Sequence, residues 1–470
     1  MSGKAKVIIS DLHIGAGHVE LGNALEDFNV DEDFVAFLDT LVDRSEAEDL
    51  DMELIVAGDM FEFLQVPHVD NFEPGRHYAA RDYASSSEED SIRKTRIIAA
   101  GHPLVFQALH SFMKPDGPRR RITIVKGNHD INLYWNGVRT ILRDSMGATG
   151  ELYSCLHFES RRVHREGLWV EHGNQYTEKI NRFDDFEDPR DPNRREQLAL
   201  PAGSRFVFNS LNALERERYW VDGVKPITAM IWYSLVFDFP FAFRAFLGLL
   251  REIPSLVWES LPWKSGEEGS LGKEEQEDLA SVIMDPGAVK SLSRQYGSHP
   301  FHRRRLAQSL GRISEWDDPA AGESGEETSS LEMGALRRAQ AIQTRVGGVL
   351  EEVAAAKVEQ DDVEVVVFGH THDAFVRSLP GGGFHVNSGT WVWQRDFSGE
   401  TWETWRAFWE EPERYMTDRR LTYVWVEYDP EGVPHPQVLE FEREAAGFGV
   451  GEEVRSWWER FLAWSRGWGS

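Results

Sequence analysis

Five short runs of residues could do chemistry, and each follows a short apolar run. Asp11-Leu12-His13 follows residues 7–10, and Gly58-Asp59 follows residues 54–57. Gly127-Asn128-His129-Asp130 follows 122–125, His172-Gly173 follows 168–171, and Gly369-His370-Thr371-His372 follows 363–368. Any one alone reads as readily as a turn or a capped helix start. Together they offer seven metal ligands: Asp11, His13, Asp59, Asn128, His172, His370 and His372. Hard oxygens mixed with imidazoles suit Mn, Fe or Zn, rather than Ca or Mg alone. Glycines beside the ligands let the backbone turn sharply and approach closely.

The apolar runs have the length and polar boundaries of buried strands. In an open α/β sheet, functional groups gather where loops leave the strand ends. Helical patterns lie between the runs, at 33–42 (apolar at Phe34, Phe37, Leu38 and Leu41) and at 97–112. Further strands are expected at 385–387 and 421–427, and a polar stretch at 85–91 interrupts the first half. The fold class expected is layered α/β.

From about residue 198 to 360 the alternation of strand and helix stops. The expected organisation is a core at 1–197 and 361–445, a mostly helical cap inserted at 198–360, and a Trp-rich C-terminal helix at 446–470. Residues 264–277 and 317–330 are polar and rich in Gly, Ser and Glu, as linkers are. The most apolar stretch, 227–250, is interrupted by Asp238, Pro240 and Arg244. Its charge-free runs fall short of the ~20 residues that span a bilayer. Two helices broken near Pro240 are expected, as cap core, apolar lid or peripheral membrane contact. Val454, Trp457, Trp458, Phe461 and Trp464 recur at helical spacing, as do Trp402, Trp405 and Trp409. Such stripes pack on a core or form a homo-oligomer surface.

The chain has 470 residues, with 51 Lys+Arg against 79 Asp+Glu and a formal charge of -28. That field repels polyanions, so a broad nucleic-acid surface is disfavoured. The single cysteine, Cys155, cannot form an intramolecular disulfide, which fits a reducing cytoplasm. Its setting, LYSCLHF, reads as a buried strand position. The N-terminus runs straight into an apolar strand, so no secretory signal is expected.

In order, the five motifs resemble the signature DxH, GD, GNHD or GNHE, H and GHxH of the calcineurin-like metallophosphoesterases, over residues 6–197 and 363–441. The resemblance implies an α/β/β/α sandwich and two divalent metals, manganese first, with iron or zinc as alternatives. One metal would be held by Asp11, His13, Asp59 and His372, the other by Asp59, Asn128, His172 and His370. Asp59 bridges in this scheme, and among these side chains a carboxylate is the one that readily bridges two cations. The implied reaction is attack of a metal-bridging hydroxide on a phosphoester or pyrophosphate. His129 resembles the family's catalytic histidine, which protonates the leaving group or stabilises the transition state. Asp130 is then expected to hold its imidazole and raise its pKa.

SDLH, GDMFE at 58–62, GNHD and GHTH look like the UDP-diacylglucosamine hydrolases, which split a pyrophosphate beneath a helical lid for acyl chains. Residues 227–250 could form a comparable apolar wall. This chain reads His172-Gly173-Asn174 where that group has HGD, and its insertion and Trp-rich tail have no counterpart there. His18, and Arg303, Arg304 and Arg305 with His299 and His302, are candidate substrate contacts, since Arg forks bind phosphate well. A small or amphiphilic phosphoester is the favoured substrate. A nuclease on the same centre is the alternative, and a non-catalytic scaffold would be expected to have lost ligands.

Overall fold

The computed structural model describes residues 3–177, 179–225, 347–397, 400–416 and 419–443, with Met230, Ser234, Asp238, Phe241, Arg244 and Ala245 singly. Most of 227–250, both linkers, Arg303–Arg305 and the Trp-rich tail 446–470 lie outside the described residues. No described helix is long and apolar enough to cross a membrane.

Among the described residues thirteen strands form, including the seven expected, whose bounds differ slightly. They are β1 (Gly3–Ile9), β2 (Leu50–Ala57), β3 (Arg120–Val125), β4 (Leu156–Glu159), β5 (Arg162–Arg165), β6 (Leu168–Glu171) and β7 (Val224–Lys225). They continue as β8 (Val365–Phe368), β9 (Phe375–Ser378), β10 (Phe384–Asn387), β11 (Arg395–Asp396), β12 (Thr422–Tyr428) and β13 (Pro434–Glu440). One sheet runs β13-β12-β1-β2-β3-β4, a second runs β5-β6-β8-β10-β9, and β7 pairs with β11. Strands β1 to β4 are mutually parallel, as are β6, β8 and β10. Parallel strands need both faces covered, and this one requirement dictates the layers.

Alternating residues divide the work. Ala5, Val7 and Ile9 of β1 pack with α1 (Asp31–Ala47), while Ile8 turns to the other face. Ile8, Ile55, Ala57 and Val125 there meet Val163, Val170, Val365, Val367 and Val386 of the second sheet in one buried apolar layer. The outer face of the first sheet is covered by α1, α2 (Glu88–Gly101), α3 (Pro103–Phe112) and α4 (Asn136–Ser145). The outer face of the second is covered by a helix over residues 347–360, through Leu350 and Ala354 against Trp169, Val366 and Phe368. These residues fall within the stretch expected as an insertion, and they pack on the second sheet.

Three local expectations are corrected. The helix expected at 97–112 is two, because Pro103 lacks an N–H and pushes His102 out of helical geometry, to φ -127° and ψ 53°. The polar stretch 85–91 is no interruption: Ser87 caps α2 by accepting from the Asp90 amide at 3.2 Å, and Ser91 is buried inside it. Cys155 is half-buried in a 3-10 turn, and the strand starts only at Leu156.

Part of the stretch expected as an insertion, residues 198–225, is described. Trp220, Val221 and Val224 pack with Trp393, Phe397, Trp405 and Phe408, the last two from the helix Trp402–Glu410. This aromatic cluster fixes where β7 lies.

The end of α2 meets the loop after β1 backbone to backbone. A Cβ on Gly101 would stand 2.2 Å from the Ala16 carbonyl oxygen, and one on Gly17 (φ +68°) 2.5 Å from the Gly101 oxygen. Backbone cannot yield as a flexible side chain does. Gly101→Ala is therefore expected to lower unfolding stability by about 1–3 kcal/mol, read as a lower urea midpoint with an unchanged slope. A midpoint equal to wild type would contradict this contact.

Candidate metal centre

Strands β1, β2, β3, β6 and β8 deliver the five motifs to one place. The Asp11 amide donates to the Gly58 carbonyl at 3.2 Å, and the Leu12 and His13 amides share the Asp59 carbonyl at 3.0 Å. The Gly369 amide donates to the His172 carbonyl at 3.0 Å, and the His370 amide reaches Asp11 Oδ2 at 2.9 Å. Five candidate ligands hold left-handed backbone: Asp11 (φ 53°), His13 (50°), Asp59 (49°), His370 (66°) and His372 (63°). Such conformations cost non-glycine residues about 1–3 kcal/mol each and persist where the surroundings enforce them. Gly58 at φ +90° is required twice over, since a Cβ there would stand 2.4 Å from His172 Nδ1.

The loops are held from outside. Buried Glu26 accepts from the Gly15 and Phe28 amides at 3.1 and 3.2 Å, and from Gly17. Asn387 Nδ2 donates to the Gly369 carbonyl and to Thr371 Oγ1 at 2.9 and 3.0 Å. Buried Lys94 donates to the Phe63 and Tyr83 carbonyls at 2.9 and 2.6 Å, fixing the chain just past Gly58-Asp59.

Inside, donors converge with little to satisfy them. His172 Nδ1 faces the Ala57 carbonyl at 3.0 Å, so that nitrogen carries a proton. Its Nε2 then lies 3.0 Å from Asp59 Oδ2 and 3.1 Å from Asn128 Oδ1. These atoms can share one point only around a proton or a metal cation. His13 Nδ1 bonds Glu62 Oε2 at 3.0 Å, leaving Nε2 buried and without a partner. His372 Nε2 lies 3.2 Å from Asp11 Oδ1. His370 bonds Thr177 Oγ1 through Nε2 at 3.0 Å, and its ring sits 5.1 Å from that of His172.

Ligand atoms of Asp11, His13 and His372 lie within 4.8 Å of one another, as do those of Asp11, Asp59 and His172. These two groups share Asp11, not the Asp59 expected as the bridge, although Asp59 stands in the second group. His13, Asp59 and His129 form a third such group. The donor set fits divalent cations: the unpartnered His13 nitrogen and the crowding at His172 Nε2 are what a metal would resolve.

Charge at the centre is strained in the same sense. Burial opposes ionisation of Asp11 and Asp59, but histidines hold both carboxyls below the usual range, His372 for Asp11 and His172 for Asp59. His172 in turn, though burial pulls it down, is raised to about 9 by Asp59 and Asp11. Burial and the neighbouring His172 lower His370 to about 3. Among the described residues, the ion pairs of Asp11 and Asp59 within 4.0 Å are with histidines.

The expectation for Asp130 is corrected. Its carboxylate accepts from the Gly127 and Met60 amides at 2.6 and 2.9 Å, tying the loops after β2 and β3 together. Burial and Asp59 push it up to about 7. The partner of His129 is Glu62, whose Oε2 lies 2.5 Å from Nδ1. Glu62 stands three residues after Asp59, in a motif whose acid could have been read as a partner for an imidazole. Its carboxylate also receives His13, so one buried acid orients two rings set edge-on at 4.7 Å. His18 is not brought to the centre among these contacts; its ring, a third exposed, faces Glu20 at 3.6 Å.

No family model and no curated protein matches this chain. Among solved structures, the crystal structure of a dimetal phosphatase from Danio rerio is similar at 9% identity, over 91% of this chain and 93% of that one, with a TM-score of 0.28. A likeness at that score carries no functional weight, and the geometry of the centre stands on its own.

Burial works against His129 protonation, but Glu62 and Asp59 outweigh it and raise its pKa to about 10; Glu62 is lowered to about 2 against its own burial, chiefly by His129. The pair's stabilisation is full between the ordinary values of 4.5 and 6.5, and is lost as pH falls through about 2 or rises through about 10. In metal-free protein, Glu62→Gln is expected to bring the His129 NMR titration down toward 6.5. The stability gap between wild type and variant should be widest between those ordinary values and shrink on either side. An unmoved His129 midpoint would sink the assignment of Glu62 as its partner.

Proposed function

We propose that this protein is a metal-dependent phosphohydrolase that cleaves a phosphoester or pyrophosphate bond in a small or amphiphilic substrate. The observation that carries the reading is the convergence of His172 Nε2, Asp59 Oδ2 and Asn128 Oδ1, beside the group formed by Asp11, His13 and His372. Asp11, His13, Asp59 and His372 would hold one cation, and Asp59, Asn128, His172 and His370 the other. Manganese is the first choice, with iron or zinc compatible with the same donors. Two such cations, when bound, supply Lewis-acid stabilisation of phosphoryl charge and acidify water.

The protein's own groups do the rest. Glu62 holds the His129 ring by Nδ1, which leaves Nε2 to donate a proton to the departing oxygen. Asn128 adds an oxygen donor without adding charge to a site that already holds Asp11 and Asp59. The net charge of -28 favours a compact substrate over a nucleic acid. A cytoplasmic setting and membrane contact through 227–250 are further parts of the proposal.

The test is manganese-dependent hydrolysis of p-nitrophenyl phosphate and bis-p-nitrophenyl phosphate, with metal content measured in parallel. Wild type should bind two metals per chain and turn over at least one ester. Asp59→Ala should lose metal and activity together. His129→Ala should keep metal and lose about 10²–10⁴-fold in kcat. Two bound metals with no turnover of either ester, or of a diphosphate, would overturn the reading.

A further inference from the structure

The described part of the stretch expected as an insertion brings a cation beside the candidate metal centre. Lys225 Nζ donates to the carbonyl of Thr371, between His370 and His372, at 2.5 Å. Its charge acts on Asp11 and on His372, and Asp373 Oδ1 stands 3.6 Å away. The acids facing it are thus Asp373, Asp11 and Asp396.

The placement is built rather than incidental. Lys225 lies in β7, in register with Asp396 of β11. Its carbonyl accepts from the Phe397 amide at 2.7 Å, and the Gly223 carbonyl accepts from Arg395 at 2.8 Å. Val224 beside it is buried in the Trp220, Trp393 and Phe408 cluster. The side chain is a quarter exposed, and an ammonium has three protons. Thr371 takes one and the Asp373 carboxylate pairs with the ammonium at 3.6 Å, which leaves a proton for a substrate oxygen.

We propose that Lys225 is a substrate-binding residue that takes a terminal phosphoryl oxygen and tunes the centre toward phosphomonoesters or terminal phosphates over diesters. This rests on the phosphohydrolase reading above. A monoester offers three terminal oxygens and close to two negative charges, a diester two oxygens and one charge. A fixed ammonium beside the centre rewards the third oxygen and the added charge. Strong Coulomb coupling in a part-buried site makes the reward larger than on a surface.

The experiment compares wild type, Lys225→Met and Lys225→Arg as the manganese-loaded full chain. Inorganic phosphate binding is read by calorimetry, metal content by elemental analysis, and kcat and KM on the two p-nitrophenyl esters. Lys225→Met is expected to keep both metals, to bind phosphate about tenfold more weakly, and to raise KM for the monoester far more than for the diester. Lys225→Arg should recover part of the phosphate affinity. Unchanged phosphate affinity with full metal content would overturn the assignment. So would metal loss in Lys225→Met that Lys225→Arg fully restores while the ratio of the two esters stays constant, because Lys225 would then only tether the Thr371 loop. If wild type binds metal but neither phosphate nor ester, the phosphohydrolase reading itself has failed.

Discussion

Two carboxylates that cannot move apart govern this structure. Asp11 and Asp59 end neighbouring parallel strands, and the amides of Asp11, Leu12 and His13 are bonded to the carbonyls of Gly58 and Asp59. Both side chains are almost wholly buried. A buried anion is tolerated only if opposite charge or strong donors reach it. The surrounding histidines, the left-handed turns that present them and the glycines that let the loops close are all answers to that constraint.

The answer is layered. Glu62 aims His13 and His129, Asp130 ties the second and third loops together, and Lys94 fixes the chain that carries Glu62. None of these three touches the converging ligand atoms at His172. Their burial is nonetheless nearly complete, because a ring displaced by a fraction of an ångström would aim its nitrogen elsewhere. The centre's precision therefore belongs to the sheet edge as a whole.

Much of this was legible in the sequence because strands announce themselves. The runs before Asp11, Asp59, Asn128, His172 and His370 are short, apolar and sharply bounded, so the five motifs could be set at strand ends. What the sequence conceals is pairing across space. Asp130 neighbours His129 along the chain, yet its carboxylate turns away to backbone amides, while Glu62 arrives from another loop. The His102-Pro103 break was readable from proline chemistry alone, but a continuous apolar period over 97–112 masked it. The helix over 347–360 follows a long region without alternation, so its packing on Trp169 and Val366 could not be read from the pattern. Lys225 carried no signal at all, since a lone lysine gains meaning only from the strand that aims it.

Strands β6 and β8 lie side by side although residues 172–364 separate them along the chain. During synthesis, Asp11, His13, Asp59, Asn128 and His172 leave the ribosome early, and His370 and His372 follow after a further delay of about 10–40 s at about 5–20 residues per second. Until then the nascent chain carries an incomplete set of donors around two carboxylates. The first sheet is itself incomplete in that interval, because β12 and β13 emerge after β8, and the last two histidines close the site only when β8 docks. Completion of the donor set is thereby tied to the synthesis of β8, late in the chain, and not to the strands that carry the two carboxylates.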